Sequence, residues 1–234
     1  AAENLELTYK IYNIFGKEML SVGFNTIFAP CADCNSNPQN VIIGMRSFGE
    51  NPERVAQQVE SAVKGANASG IITTLKHFPG HGDTTLDSHR NIPKVNKNLN
   101  QLEHEDLYPF QRGIDAGADM VMTSHILFPQ IDPINPATLS PLIIRDLLRE
   151  KMGFNGVVLT DSMNMGAIKK NYPSDEAAIK AIQAGVDMIM LAEEHYDHDS
   201  SIYIKQHMKL IQSVIQAAKS GKITRKRLDE ASGR

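Results

Sequence analysis

Five short apolar runs constrain this chain more than any other feature: Asn25-Thr26-Ile27-Phe28-Ala29, Ile71-Ile72-Thr73-Thr74-Leu75, Asp119-Met120-Val121-Met122-Thr123, Gly156-Val157-Val158-Leu159-Thr160 and Val186-Asp187-Met188-Ile189-Met190-Leu191. They are continuous rather than alternating, the pattern of strands covered on both faces. Segments with helical spacing separate them, over residues 2–22, 52–65, 99–116, 141–152, 175–184 and 200–220, with another starting at 224. Strand and helix in alternation specify a parallel sheet. Either a doubly wound sheet or a barrel gives this pattern. The barrel is favoured because polar and titratable residues follow the strands: Asp33, Lys76-His77, Ser124-His125, Asp161 and Glu193-Glu194. No G-x-G-x-x-G follows a strand, which removes the usual dinucleotide signature of the alternative. The expected fold class is therefore α/β, a (β/α)8 TIM-type barrel, partial here with about five of eight β/α units. The chain opens abruptly in helix-like sequence. Residues 1–234 are thus expected to form a single barrel domain, truncated at the N-terminus and at the C-terminus.

A net charge of -3 argues against a nucleic-acid footprint, which wants a strong basic excess. No run approaches the ~20 apolar residues of a membrane span. The sequence leaves the compartment open, exported or cytoplasmic. The two cysteines, Cys31 and Cys34, are spaced C-x-x-C. They read either as a redox pair or as two small residues at a strand end; without a thioredoxin-like context the second reading is preferred. The methionines at 120, 122, 188 and 190 read as core filler.

One stretch concentrates chemistry, Lys76-His77-Phe78-Pro79-Gly80-His81-Gly82-Asp83-Thr84-Thr85-Leu86-Asp87-Ser88-His89. Buried charge is costly unless paired, so a core segment does not look like this. Asp87 two residues before His89 can hold an imidazole in one tautomer and raise its pKa, which suits an acid/base group. The bland alternative is a solvated loop histidine beside a chance aspartate. Asp161, at the end of a strongly apolar run, suits a nucleophile or an electrostatic stabiliser; it could also simply cap a helix. Lys76 and His77 could hydrogen-bond a polyhydroxylated substrate, bind a phosphate or form a surface ion-pair cluster. His77, His81, Asp83 and His89 are metal-ligand types, but their spacing matches no H-E-x-x-H or paired-cysteine zinc pattern.

The stretch resembles the signature of the N-acetyl-β-glucosaminidase branch of glycoside hydrolase family 3: K-H-F-P-G-H-G, here residues 76–82, then D-S-H, here Asp87-Ser88-His89. The resemblance continues through Leu107-Tyr108-Pro109-Phe110, the run from Ala116 to Met122, the run from Gly153 to Asp161, and the run from Ala184 to Met188. It implies a retaining exo-glycosidase that removes terminal β-linked N-acetylglucosamine from peptidoglycan fragments, with no cofactor and no metal. In that scheme Asp161 is the nucleophile that forms the glycosyl-enzyme. His89, paired with Asp87, is the acid/base, a departure from the usual pair of carboxylates. Lys76, His77 and Arg46 contact the sugar, and His81 shapes the loop. An N-acetylglucosaminide phosphorylase using the same residues, a metal-dependent hydrolase and an inactive sugar-binding fragment stay open as alternatives. The family's early strands and their acidic D-Q-E-G-G-type motif have no counterpart here. The expectation is therefore that these residues alone are marginal or inactive.

Overall fold

A computed structural model describes residues 4–84, 92–192 and 200–234. Its centre is a parallel sheet of three strands, β1 Thr74–Phe78, β2 Met120–Thr123 and β3 Val157–Thr160, in the order β1-β2-β3. Two further extended segments flank it in the same direction. Residues 25–31 pair with β1 through bridges at Thr26–Ile72 and Cys31–Lys76, and Met188 pairs with Leu159. The five parallel runs expected from sequence are thus present in chain order, the outer two held by only a few bonds each. Among the described residues these outer runs have a sheet neighbour on one side only.

Helices follow the strands. They are α1 Leu5–Ser21, α2 Pro52–Asn67, α3 Leu99–His104, α4 Leu107–Asp115, α5 Gly166–Lys169, α6 Ser174–Ala184, α7 Ser200–Lys219 and α8 Arg225–Ser232. A wider helix, Leu142–Lys151, lies between β2 and β3 and ends with Met152 N–H donating five residues back to the Leu147 carbonyl. Local chemistry explains the starts. The Asn4 side chain accepts from Leu7 N–H and the Asn51 side chain accepts from Arg54 N–H, with Pro52 opening α2. Glycine explains the close approach of α1 to α2: a Cβ on Gly65 would sit 2.2 Å from the Tyr9 carbonyl oxygen.

The two faces of the sheet are both apolar. Leu75, Phe78, Val121 and Val158 pack outward with Val59, Phe110 and Ile144 of the helical layer. Met120, Met122 and Leu159 form a smaller cluster on the other face, with Ile72, Val157 and Met190 against it. Met120 and Met122 are core residues as expected, but Met188 is 53% exposed because its run lies at the sheet edge.

Two acidic residues do the same work at two strand starts. Asp119 Oδ2 accepts from the backbone N–H of Thr73, at 2.8 Å, and Asp187 Oδ2 accepts from that of Val158, at 2.9 Å. Each carboxylate thereby ties its strand to the preceding one. Three arginines, Arg149, Arg227 and Arg234, converge on the buried Asp187 and bring α8 onto the sheet.

The structure corrects two expectations. The run 99–116 is not one helix: it breaks between α3 and α4 at Glu105 and Asp106, where the buried Asp106 carboxylate takes Lys97 Nζ at 2.6 Å. The strand expected over 71–75 is shifted to β1, so Lys76 and His77 lie within the strand rather than after it. The β1–β2 register slips between Leu75 and Phe78, where those two residues sit.

Candidate active site

The carboxyl ends of four successive parallel segments deliver the titratable groups to one end of the sheet. Asp33 follows segment 25–31, Lys76 and His77 end β1, His125 follows β2 and Asp161 follows β3. A cavity of about 180 Å³ opens there, lined on its polar side by Arg46, Lys76, His77, His81 and Asp161. Its apolar side is Phe28, Ile42, Met122, Met165 and Met190.

Asp33 is the anchor. Its carboxylate is fully buried and takes four donors: His77 N–H at 3.1 Å, His77 Nδ1 at 2.7 Å, His81 N–H at 2.7 Å and the Cys31 thiol at 3.1 Å. Burial alone would raise its pKa, but the charge and hydrogen bonds of His77, with His81 and Cys31, outweigh that and hold it well below the usual carboxylate range. A carboxylate can only accept, so His77 carries its proton on Nδ1 and leaves Nε2 as the other ring nitrogen. His81 packs edge-on against His77, its ring centre 5.6 Å away. Burial, then the neighbouring His77, pushes His81 down to about 4. Its carbonyl accepts from Asn40 Nδ2 at 2.8 Å and its Nδ1 meets Thr84 Oγ1 at 3.0 Å. These contacts pin residues 81–84 against segment 33–40. The turn also needs Gly82, because a Cβ there would fall 1.6 Å from the Cys34 carbonyl oxygen.

Asp161 sits where β3 ends, its Oδ1 accepting from Ser162 N–H at 2.7 Å. No helix begins at Ser162; a turn over Met163 and Asn164 follows instead. Burial would raise its pKa, but His77, His125, the Ser162 amide and Lys76 together bring it below the ordinary carboxylate value. The carboxylate is therefore ionised at neutral pH. Lys76 is also lowered, by burial and by neighbouring Arg46 despite the acidic groups around it. Arg46 is exposed at the rim and its guanidinium donates to the Ile42 carbonyl at 2.7 Å.

The structure thus brings Arg46, Lys76, His77 and Asp161 together round one cavity. Asp87 and His89 fall outside the described residues. So do Glu193 and Glu194. Two contributors escaped the sequence-based site. The role of Asp33 could have been suspected from its place just after a strand and a proline; that of His125 had only its place after β2 as a signal.

The cysteines are free and buried. The Cys31 thiol faces Asp33, and burial followed by that carboxylate pushes its pKa well up; burial does the same for Cys34, which faces the Glu105 carbonyl. Both are packed, protonated thiols rather than a reactive pair. Among the described residues, one trio presents metal-type ligands within 4.8 Å of one another: Cys31, Asp33 and His77. The Asp33 oxygens are already saturated by hydrogen bonds, which makes the trio an anchor for His77. Of the set weighed from sequence, His89 lies outside the described residues; Asp83 faces Lys97 and Ser36, and His81 faces Thr84.

This chain belongs to glycosyl hydrolase family 3: the family's N terminal domain, described as "Glycosyl hydrolase family 3 N terminal domain", matches residues 1–234. The sheet and helices are accordingly part of a TIM-type β/α barrel. Among solved structures, the chain superposes with a TM-score of 0.93 and 42% identity on a glycoside hydrolase family 3 β-N-acetylglucosaminidase from Paenibacillus sp. str. FPU-7, covering 100% of this chain and 43% of that one. It is 40% identical to beta-hexosaminidase A of Pseudoalteromonas piscicida, over 78% of this chain and 32% of the relative. It is 38% identical to a beta-hexosaminidase of Stenotrophomonas maltophilia (strain R551-3), over 76% of this chain and 52% of the relative. The chain therefore spans about a third to a half of the length of these curated relatives. Among the described residues, no helix is long and apolar enough to cross a membrane.

Proposed function

We propose that this domain carries the catalytic centre of a retaining exo-β-N-acetylglucosaminidase acting on terminal β-linked N-acetylglucosamine, with peptidoglycan fragments as the natural source. The observation that carries this reading is Asp161: a half-buried carboxylate, ionised at neutral pH, at the end of a barrel strand and facing a cavity whose other polar groups are cations or neutral donors. Such a group can attack an anomeric carbon and leave as a carboxylate in a second step. His77, whose Nδ1 is held by Asp33, presents a fixed ring to a sugar hydroxyl, and Lys76 and Arg46 supply charged donors beside it. The acid/base would be His89 with Asp87. Residues 92–97, which follow them in sequence, are anchored by Lys97 on Asp106 and by Val95 N–H on the Leu127 carbonyl.

The test is turnover of a chromogenic N-acetyl-β-glucosaminide. Asp161→Ala should lose at least ~10³-fold in kcat, and His89→Ala about 10²-fold to 10⁴-fold. Full activity in Asp161→Ala overturns the assignment. Comparing rates in phosphate and phosphate-free buffer separates hydrolysis from phosphorolysis by the same groups.

A further inference from the structure

His125 follows β2 and is 1% exposed, beneath the Asp161 turn. Its Nε2 lies 2.9 Å from the Ser162 carbonyl oxygen, which can only accept, so Nε2 carries a proton. Its Nδ1 lies 2.8 Å from Thr138 Oγ1. That hydroxyl has one proton, and Thr138 Oγ1 is also 2.9 Å from the Ser124 carbonyl oxygen. The Ser124 carbonyl also accepts from the Thr138 backbone N–H at 3.2 Å, and where it takes the hydroxyl proton too, Nδ1 donates as well. Thr123 Oγ1, 2.9 Å from Thr138 Oγ1, can donate to it, which completes an arrangement in which both ring nitrogens donate. A histidine donating from both nitrogens is an imidazolium. Burying such a cation is costly unless a counter-charge is close. The Asp161 carboxylate, the residue next to Ser162, is that counter-charge.

We propose that His125 is the positioning residue for Asp161, a buried imidazolium that ties the Asp161–Ser162 turn to the end of β2 and keeps the carboxylate ionised and aimed at the cavity. The proposal rests on the reading of Asp161 as nucleophile. Three basic side chains, Lys76 and His77 from β1 and His125 from the segment after β2, face Asp161, and His81 and Arg46 line the same cavity wall. His77 is already committed to Asp33, and Lys76 lies at the cavity wall. His125 alone of the three also holds the backbone beside Asp161.

The experiment pairs nuclear magnetic resonance with kinetics. In the unaltered protein, both ring nitrogens of His125 should show protonated nitrogen-15 shifts at pH 7; a neutral ring overturns the proposal whatever any variant does. In His125→Gln, which can keep a donor towards Ser162 without the charge, the Asp161 carboxyl titration should move up by about one unit. The acid limb of the kcat/KM profile should move with it. kcat should fall about tenfold to a hundredfold with KM within about threefold, the signature of a lost transition-state contribution. An unmoved Asp161 titration with unchanged kcat, even at lower thermal stability, leaves His125 a merely structural residue and contradicts the proposal. If Asp161→Ala proves active, the nucleophile reading fails by itself, while the carboxyl and ring titrations still report whether the two charges are coupled.

Discussion

Nδ1 of His77 lies 2.7 Å from Oδ2 of Asp33, and both backbone N–H groups flanking the turn, those of His77 and His81, point at the same carboxylate. One buried charge therefore sets the tautomer of a cavity-facing ring and the path of the chain from His77 to Thr84. Asp33 is not itself a lining residue of the cavity, so its influence passes through His77 and His81.

Replacing Asp33 by Asn keeps the shape but turns an amide N–H₂ against donors. The expected cost is about 3 kcal/mol, in the range for breaking a buried charged network. Because the folded pKa of Asp33 lies below its unfolded value, its contribution is complete above the ordinary carboxylate pKa and is lost as pH falls below about 4. Urea unfolding should show a wide gap between the native protein and Asp33→Asn at pH 6 that narrows towards pH 3. A gap constant with pH would mean that Asp33 is not ionised in the folded chain.

Two other buried groups pull stability in opposite directions. His81 titrates at 6.5 when unfolded and at about 4 when folded, so its contribution is complete above 6.5 and is lost as pH falls towards 4. Asp106 runs the other way: burial raises it from 3.8 to about 6 in spite of Lys97, so its contribution is complete below 3.8 and is lost as pH rises through 6. Between pH 4 and 6 the two slopes offset, each at most about 1.4 kcal/mol per pH unit. Asp106→Asn should expose the His81 slope, with denaturation midpoints falling as pH drops through this window. A variant whose profile runs parallel to the native one contradicts the opposed titrations.

The same physical contrast decides what could be read from the sequence. The parallel β/α repeat was legible because continuous apolar runs such as Val157 to Leu159 have only one way to be covered on both faces. Lys76, His77 and Asp161 were legible through their place near strand ends and through the family resemblance, and Arg46 through the resemblance alone. The break between α3 and α4 was not, because it depends on Lys97 reaching Asp106 after the chain has folded back. Asp33 and His125 were not, because a carboxylate that accepts four donors and a ring that donates from both nitrogens are defined by partners distant in sequence, such as His77 and Ser162. The weak pairing of the outer runs also escaped periodicity, which reports burial and not the number of sheet neighbours.

At the opposite end of the sheet, the Asp187 clasp predicts a graded response. Asp187 is almost wholly inaccessible, and removing it strands the Arg149 and Arg227 guanidiniums and the Val158 N–H, so Asp187→Ala should cost about 3–5 kcal/mol. Arg234, 3.1 Å from Asp187 and the most exposed of the three arginines, should cost no more than about 1 kcal/mol on replacement by Ala. Equal losses from the two variants in chemical denaturation would show that the arginines act as one unit rather than by their burial.

The most direct measurement of the central claim is the identity of the residue that carries the sugar during turnover. The native protein and His89→Ala, in which the second step should be slowed, are quenched in the steady state with an activated N-acetyl-β-glucosaminide and digested for mass spectrometry. The account predicts an adduct of one N-acetylhexosamine residue on the peptide containing Asp161, absent from Asp161→Ala. An adduct on any other side chain, or full turnover by Asp161→Ala, would contradict it.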